Sequence, residues 1–321
     1  MDTAENYLME ASAAYNSENF TLAIEQATLA ITAGCTAKEA WQIRGLSCSN
    51  VNQFAQAISD FNYYLELVPN DAVMKMKRGI AYSLSGDLPN AIPDMSAYII
   101  EHPNESSGYQ NRGYTYLVMK KNKEAINDLT KAIELGGINA QAYFQRGVAF
   151  FNSRNFPVAN KDFSDSLDIE PDNIESLYLR GLTYFFRKCY TESINDLSKV
   201  IYLDGHHSQA RFYRMNVYLS TQKHKEAQQE ADQMVLLKTI PFEFSYDDKI
   251  LPVVSFEIRK NLLHFGLDTS ELGYEEKGKR ILWLKTNGKT PRPLANVGIK
   301  MDLPHGGIDE FTIKVSEAKW Q

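Results

Sequence analysis

The sequence is poor in the residues and motifs that most function classes require. Three cysteines occur in 321 residues, Cys35, Cys48 and Cys189. An odd, sparse set offers neither a disulfide framework nor metal-ligand spacing, and it suits a reducing, cytoplasmic setting. Eleven prolines and 18 glycines are too few for a long disordered linker. No apolar run approaches the ~20 residues that span a bilayer, so no membrane insertion is expected. The opening Met1-Asp2-Thr3-Ala4-Glu5 is acidic and does not read as a secretory signal. A net charge of −6 argues against nucleic acid and anionic membranes as partners, because both attract a basic surface. The histidines at 102, 206, 207, 224, 264 and 305 form no H-E-x-x-H motif and no Cys/His cluster. Phosphate-cradling loops and G-x-S-x-G elbows are missing as well. The turn-like His305-Gly306-Gly307 with Asp309 and Glu310 is better explained by a bend between strands than by catalysis. No catalytic residue, metal or cofactor is expected; enzymatic activity stays open, with a non-catalytic role preferred.

What the sequence does contain is a repeat. Arg-Gly recurs at Arg44-Gly45, Arg78-Gly79, Arg112-Gly113, Arg146-Gly147 and Arg180-Gly181, each step being 34 residues. One step further stands Arg214-Met215, and one step back Glu10-Ala11. An aromatic column follows at Tyr82, Tyr116, Phe150, Tyr184 and Tyr218, and a small-residue column at Ala23, Ala57, Ala91, Ala125, Ala159, Ser193 and Ala227. Pro69, Pro103 and Pro171, or Gly137 and Gly205, close the copies. A mid-helix glycine opposite a small residue lets two helices approach closely, and Pro or Gly stops the second helix. Each copy therefore reads as a helical hairpin that must stack on its neighbours to bury its apolar stripe. Seven copies fit between residues 4 and 241.

A charge ladder runs with the repeat. Arg44, Arg78, Arg112, Arg146 and Arg180 are each followed 16 residues later by Asp60, Asp94, Asp128, Asp162 and Asp196, and Arg214 by Glu230. Because every arginine brings its own acid, the ladder is expected to be structural pairing rather than an anion-binding track.

These columns, with Trp41, Tyr109 and Tyr143 at the fourth place of a unit, resemble the tetratricopeptide repeat family in an arginine variant. The resemblance covers about three quarters of the chain. It implies an all-α, right-handed superhelical solenoid of seven helix-turn-helix repeats whose first helices line a ligand-accepting concave face. The family's chaperone-binding carboxylate clamp is absent, since the place after the glycine column holds Leu46, Ile80 and Tyr114. On the family's ligand-facing places, the N-terminal half is mixed and polar, while the part from Tyr114 to Phe212 is apolar and aromatic. The resemblance thus implies a groove lined by Met76, Gln110, Tyr114, Phe144, Val148, Phe151, Tyr178, Leu182, Phe185 and Phe212. An apolar strip of that size needs cover, from a partner or from the protein itself.

Residues 242–321 lose the period and balance 12 basic against 12 acidic residues, so the whole net charge lies on residues 1–241. Phe256 to Phe265 reads as a short helix. Arg280 to Leu284, Val297 to Met301 and Phe311 to Val315 read as strands, with an Asn287-Gly288 turn. A small C-terminal α+β or β-rich segment is expected, which folds alone, caps the last repeat, or lies in the groove. Function is expected to be that of a scaffold or adaptor holding a peptide or helical segment. The alternatives are a repeat-targeted effector with a catalytic tail and a structural assembly subunit.

Overall fold

The computed structural model describes residues 3–136 and 139–239 and, beyond them, seven strands. Fourteen helices form seven hairpins: α1 (Thr3–Asn16) with α2 (Phe20–Thr32), α3 (Lys38–Asn50) with α4 (Phe54–Leu67), α5 (Ala72–Ser85) with α6 (Leu88–Glu101), α7 (Ser106–Val118) with α8 (Asn122–Gly136), α9 (Ala140–Asn152) with α10 (Phe156–Ile169), α11 (Ile174–Phe186) with α12 (Tyr190–Leu203), and α13 (Ser208–Ser220) with α14 (His224–Leu236). This is the all-α repeat solenoid that the 34-residue columns predict. The chain packs as two compact units, Met1–Ala149 and Phe150–Gln321. The division therefore falls within α9, rather than only at residue 241 where the period ends.

The turn inside each hairpin is set by backbone geometry. Glu18, Asn52, Gly86 and Lys120 in the first unit, and Arg154, Lys188 and Gln222 in the second, all adopt positive φ. Each is followed by a residue whose N–H donates to the carbonyl five residues back, as in Asn19 to Ala14 (2.9 Å), Lys121 to Tyr116 (2.9 Å) and Cys189 to Tyr184 (2.9 Å). That is a Schellman closure, which satisfies the orphan carbonyls of the first helix. The first helices of several units are capped in the same column: Asp71, Asn139, Asn173 and His207 accept from the N–H three residues on, at 2.9, 3.1, 2.9 and 3.1 Å.

The hairpins close on the small columns. An added Cβ would lie 2.9 Å from the Phe61 ring at Gly45, 2.8 Å from Leu129 Cγ at Gly113, and 3.1 Å from Leu197 Cγ at Gly181. In the end hairpins the sizes change together. Met215 occupies the glycine column, and the position 16 residues later shrinks to Ala231; Ala11 likewise is matched with Ala27. All four are fully buried. Ser193, the exception in the alanine column, donates to the Gly181 carbonyl at 2.8 Å and so stays buried without an unmet hydroxyl.

Beyond α14 the described residues form strands. β1 (Phe242–Tyr246), β2 (Lys249–Leu251) and β6 (Val297–Met301) make one antiparallel sheet in the order β2-β1-β6. β3 (Val253–Arg259), β4 (Leu262–Asp268), β5 (Ile281–Thr286) and β7 (Val315–Trp320) make a second in the order β3-β4-β5-β7. The helix expected over Phe256 to Phe265 is not formed. Those two residues face each other across the β3–β4 pair, because the flanking Val253, Val254 and Ile258 are β-branched and favour a pleated surface. Of the expected Phe311 to Val315 strand, Val315 begins β7 and the rest lies outside the described residues, as do the Asn287-Gly288 turn and the His305 cluster. β3 sits against α14: Gln228 Nε2 donates to the Phe256 carbonyl at 2.9 Å, and the Phe256 ring is buried.

Candidate functional site

The arginine ladder is a structural clamp. Arg44, Arg78, Arg112 and Arg180 each donate from Nε and Nη2 to both oxygens of Asp60, Asp94, Asp128 and Asp196, at 2.7–2.9 Å. These hydrogen bonds are the largest influence on the guanidinium groups and raise their pKa further, against the opposing effect of burial. The last unit departs from this geometry: Arg214 reaches Glu230 Oε1 through Nη2 alone, and Arg211 Nη1 takes Oε2 at 3.4 Å.

The remaining Nη1 of each arginine reaches back to the preceding hairpin: Arg44 to Thr28, Arg78 to Asn62, Arg112 to Ser96, Arg146 to Thr130, Arg180 to Ser164 and Arg214 to Ser198. Sequence reasoning missed this column. Its only signal is a small polar residue 16 places before every arginine, with an identity that changes between Thr, Asn and Ser. With three nitrogens engaged, Arg44, Arg78, Arg112 and Arg180 tie one hairpin to the next and are not an anion track. Asp162, the remaining member of the ladder, is buried.

The expected ligand groove needs correction. In the second unit, Phe151, Tyr178, Leu182 and Phe212 are buried, and Phe185 is half-buried. The Tyr178 ring on α11 lies 4.8 Å from the His207 ring and 6.2 Å from the Tyr213 ring of the next hairpin. Phe185 also meets Tyr213, at 5.8 Å. Burial pushes the Tyr178 hydroxyl pKa well up, and that of Tyr213 to about 12. These rings are long enough to bridge neighbouring first helices, so they fill the space between hairpins instead of lining an open surface. In the first unit, Met76 is buried against Ala91 and Met95 of its own hairpin, Val148 is buried, Phe144 is half-buried, and Gln110 accepts from Asn139 Nδ2 at 3.0 Å.

Tyr114 alone of the ten is exposed, and it has company that the sequence reading passed over. Leu84 (53% exposed) on α5 and Val118 (46%) on α7 occupy one column, one turn beyond Ile80 and Tyr114 (39%). Val73 is exposed at the start of the α5 stripe. The two helices are held side by side by the Ser83–Thr115 hydroxyl pair at 3.0 Å. Half-buried Ile43 and Leu46 continue the stripe on α3, and exposed Lys77 and half-buried Asn111 interrupt it with polar groups. The accessible apolar surface on the first helices therefore lies in the first unit. Polarity alone had pointed to the C-terminal half.

Among the described residues, no group of acidic, histidine or cysteine side chains could hold a metal ion. No described helix is long and apolar enough to cross a membrane. A tetratricopeptide repeat model matches residues 106–135, the α7–α8 hairpin. The chain has the tetratricopeptide-repeat fold. Solved tetratricopeptide-repeat structures share its fold at low identity. The C-terminal part of a repeat-containing protein from Cytophaga hutchinsonii is 14% identical with a TM-score of 0.60, covering 72% of this chain and 95% of its own. A tetratricopeptide repeat protein from Parabacteroides merdae gives 14% and 0.57, covering 74% and 94%. YrrB, described as having an unusual peptide-binding site, gives 17% and 0.51, covering 56% and 92%. No curated protein matches the chain.

Proposed function

We propose that this tetratricopeptide-repeat chain is a protein-interaction scaffold, acting in the cytoplasm without catalytic turnover, that takes a peptide segment on the first-helix face of its first unit. The carrying observation is the contiguous accessible apolar stripe of Leu84, Tyr114 and Val118 beside Ile80. Apolar anchors next to polar Lys77 and Asn111 suit a segment held by a few buried side chains with polar groups fixing its register. The second-unit aromatics serve stacking, and the C-terminal strands serve as a cap. Support for the cap is the Gln228–Phe256 bond and the buried Phe256 ring on α14, the last helix of the repeat. Three free cysteines suit the reducing compartment.

The test is selection from a displayed peptide library against the full chain. Enriched peptides should bind the wild type and lose at least about tenfold in affinity, or ~1.4 kcal/mol, against Leu84→Ser/Tyr114→Ala/Val118→Ser. Undiminished binding by that variant, with its helical signal intact, overturns the assignment.

A further inference from the structure

The second unit has two edges of opposite character. Successive helices joined by short turns run antiparallel. The turns closing α9, α11 and α13 therefore share one edge, and the ends of α10, α12 and α14 share the other. The first edge exposes Arg154, Arg187, Lys188, Lys223 and Lys225, against exposed Glu192 and half-buried Glu226. The N-terminal ends of α10, α12 and α14 add positive partial charge there.

The opposite edge exposes Asp168, Glu170 and Asp172, with half-buried Asp204, and the helix C-termini add negative partial charge. Its cations among the described residues are Lys199, engaged by Asp172 at 2.8 Å and the Pro171 carbonyl at 2.7 Å, half-buried Arg211, engaged by Glu230 at 3.4 Å and the Gly205 carbonyl at 3.1 Å, and exposed Lys238. The same edge holds the unit's most exposed apolar side chains among the described residues, Tyr202 (87%) and Leu236 (71%), with Ile169 and Leu203 beside them. Such a ridge marks an interaction surface.

The two rows share one spacing. One hairpin step of 34 residues separates Arg154 from Lys188, and the same step separates Glu170 from Asp204. A partner that carries cations at that interval exists in the chain itself. We infer that the acidic, apolar edge is a docking surface for the basic edge of a second copy of this chain. Exposed ion pairs contribute little net attraction each, so they set register. The aliphatic stems of arginine and lysine lie over Tyr202 and Leu236 and supply the buried apolar area. Such an interface joins different surfaces of the two copies, so association does not close at a dimer but grows with concentration.

Sedimentation velocity of the full chain tests this at about 20 mM and about 0.5 M salt, where screening shortens several-fold. The wild type should associate at low salt and dissociate at high salt. Lys188→Glu/Lys223→Glu and Asp168→Lys/Glu170→Lys should each be monomeric alone and associate when mixed in equal amounts. Tyr202→Ser, at a site too exposed to affect folding, should weaken wild-type association. A wild type that stays monomeric at low salt overturns the proposal. So does a reversal variant that associates alone as the wild type does, or a mixture that stays monomeric.

Discussion

Gly113 on α7 faces Leu129 on α8 so closely that a Cβ on the glycine would stand 2.8 Å from Leu129 Cγ. The contact exists because one partner has no side chain, and the same bargain is struck the other way round by Met215 and Ala231. Gly113→Ala gains up to ~1 kcal/mol of helix propensity but overpacks the hairpin, at a cost of about 1–3 kcal/mol. The net effect should be a lowered denaturation midpoint. Adding Leu129→Ala to Gly113→Ala should cost less than the two single changes summed, as the Ala11–Ala27 pair implies.

The in-hairpin turn demands a left-handed residue in every copy, yet only Gly86 is a glycine. Lys120 at φ 59° bears a Cβ penalty of roughly 1–2 kcal/mol. Part of the gain from removing it is offset by the greater freedom of glycine in the unfolded chain. Lys120→Gly should therefore stabilise by up to about 1 kcal/mol, and Gly86→Ala should destabilise by a similar amount. Thermal melts followed by far-UV circular dichroism would register both.

The Arg112–Asp128 clamp is doubly hydrogen-bonded and mostly buried. Asp128→Ala strands a guanidinium that also holds Ser96 of the preceding hairpin. A loss of about 3–5 kcal/mol is expected. Arg112→Met/Asp128→Leu removes both charges and should recover a large part of that loss. Equal damage in the single and double variants would count against the clamp as the source.

His207 caps α13 by accepting the Ala210 N–H on Nδ1, which must be unprotonated to do so. Burial lowers its pKa below the ordinary value, opposed by Asp204 and Glu175. Below about pH 6.5 the unfolded histidine takes up a proton that the folded one resists. The contribution is thus complete above that pH and declines as pH falls toward the folded pKa. His207→Asn keeps a capping oxygen and should remove this part of the acid sensitivity. Stability curves between pH 8 and pH 5 that do not change slope in the variant would refute it.

The sequence by itself determined the repeat. Arginine, aspartate, glycine and alanine recur every 34 residues because the hairpin contacts of most copies favour those shapes and charges, so the hairpins and the Arg–Asp pairs could be read from letters alone. Two things were decided by tertiary structure. The reach-back from arginine to Thr28, Asn62 or Ser96 accepts different small acceptors, so Thr, Asn and Ser alternate and no single letter marks the column. The direction an apolar side chain faces depends on what the next hairpin places beside it: Tyr178 and Phe212 are roofed by their neighbours, while Leu84 and Val118, equally apolar in sequence, are left open to water.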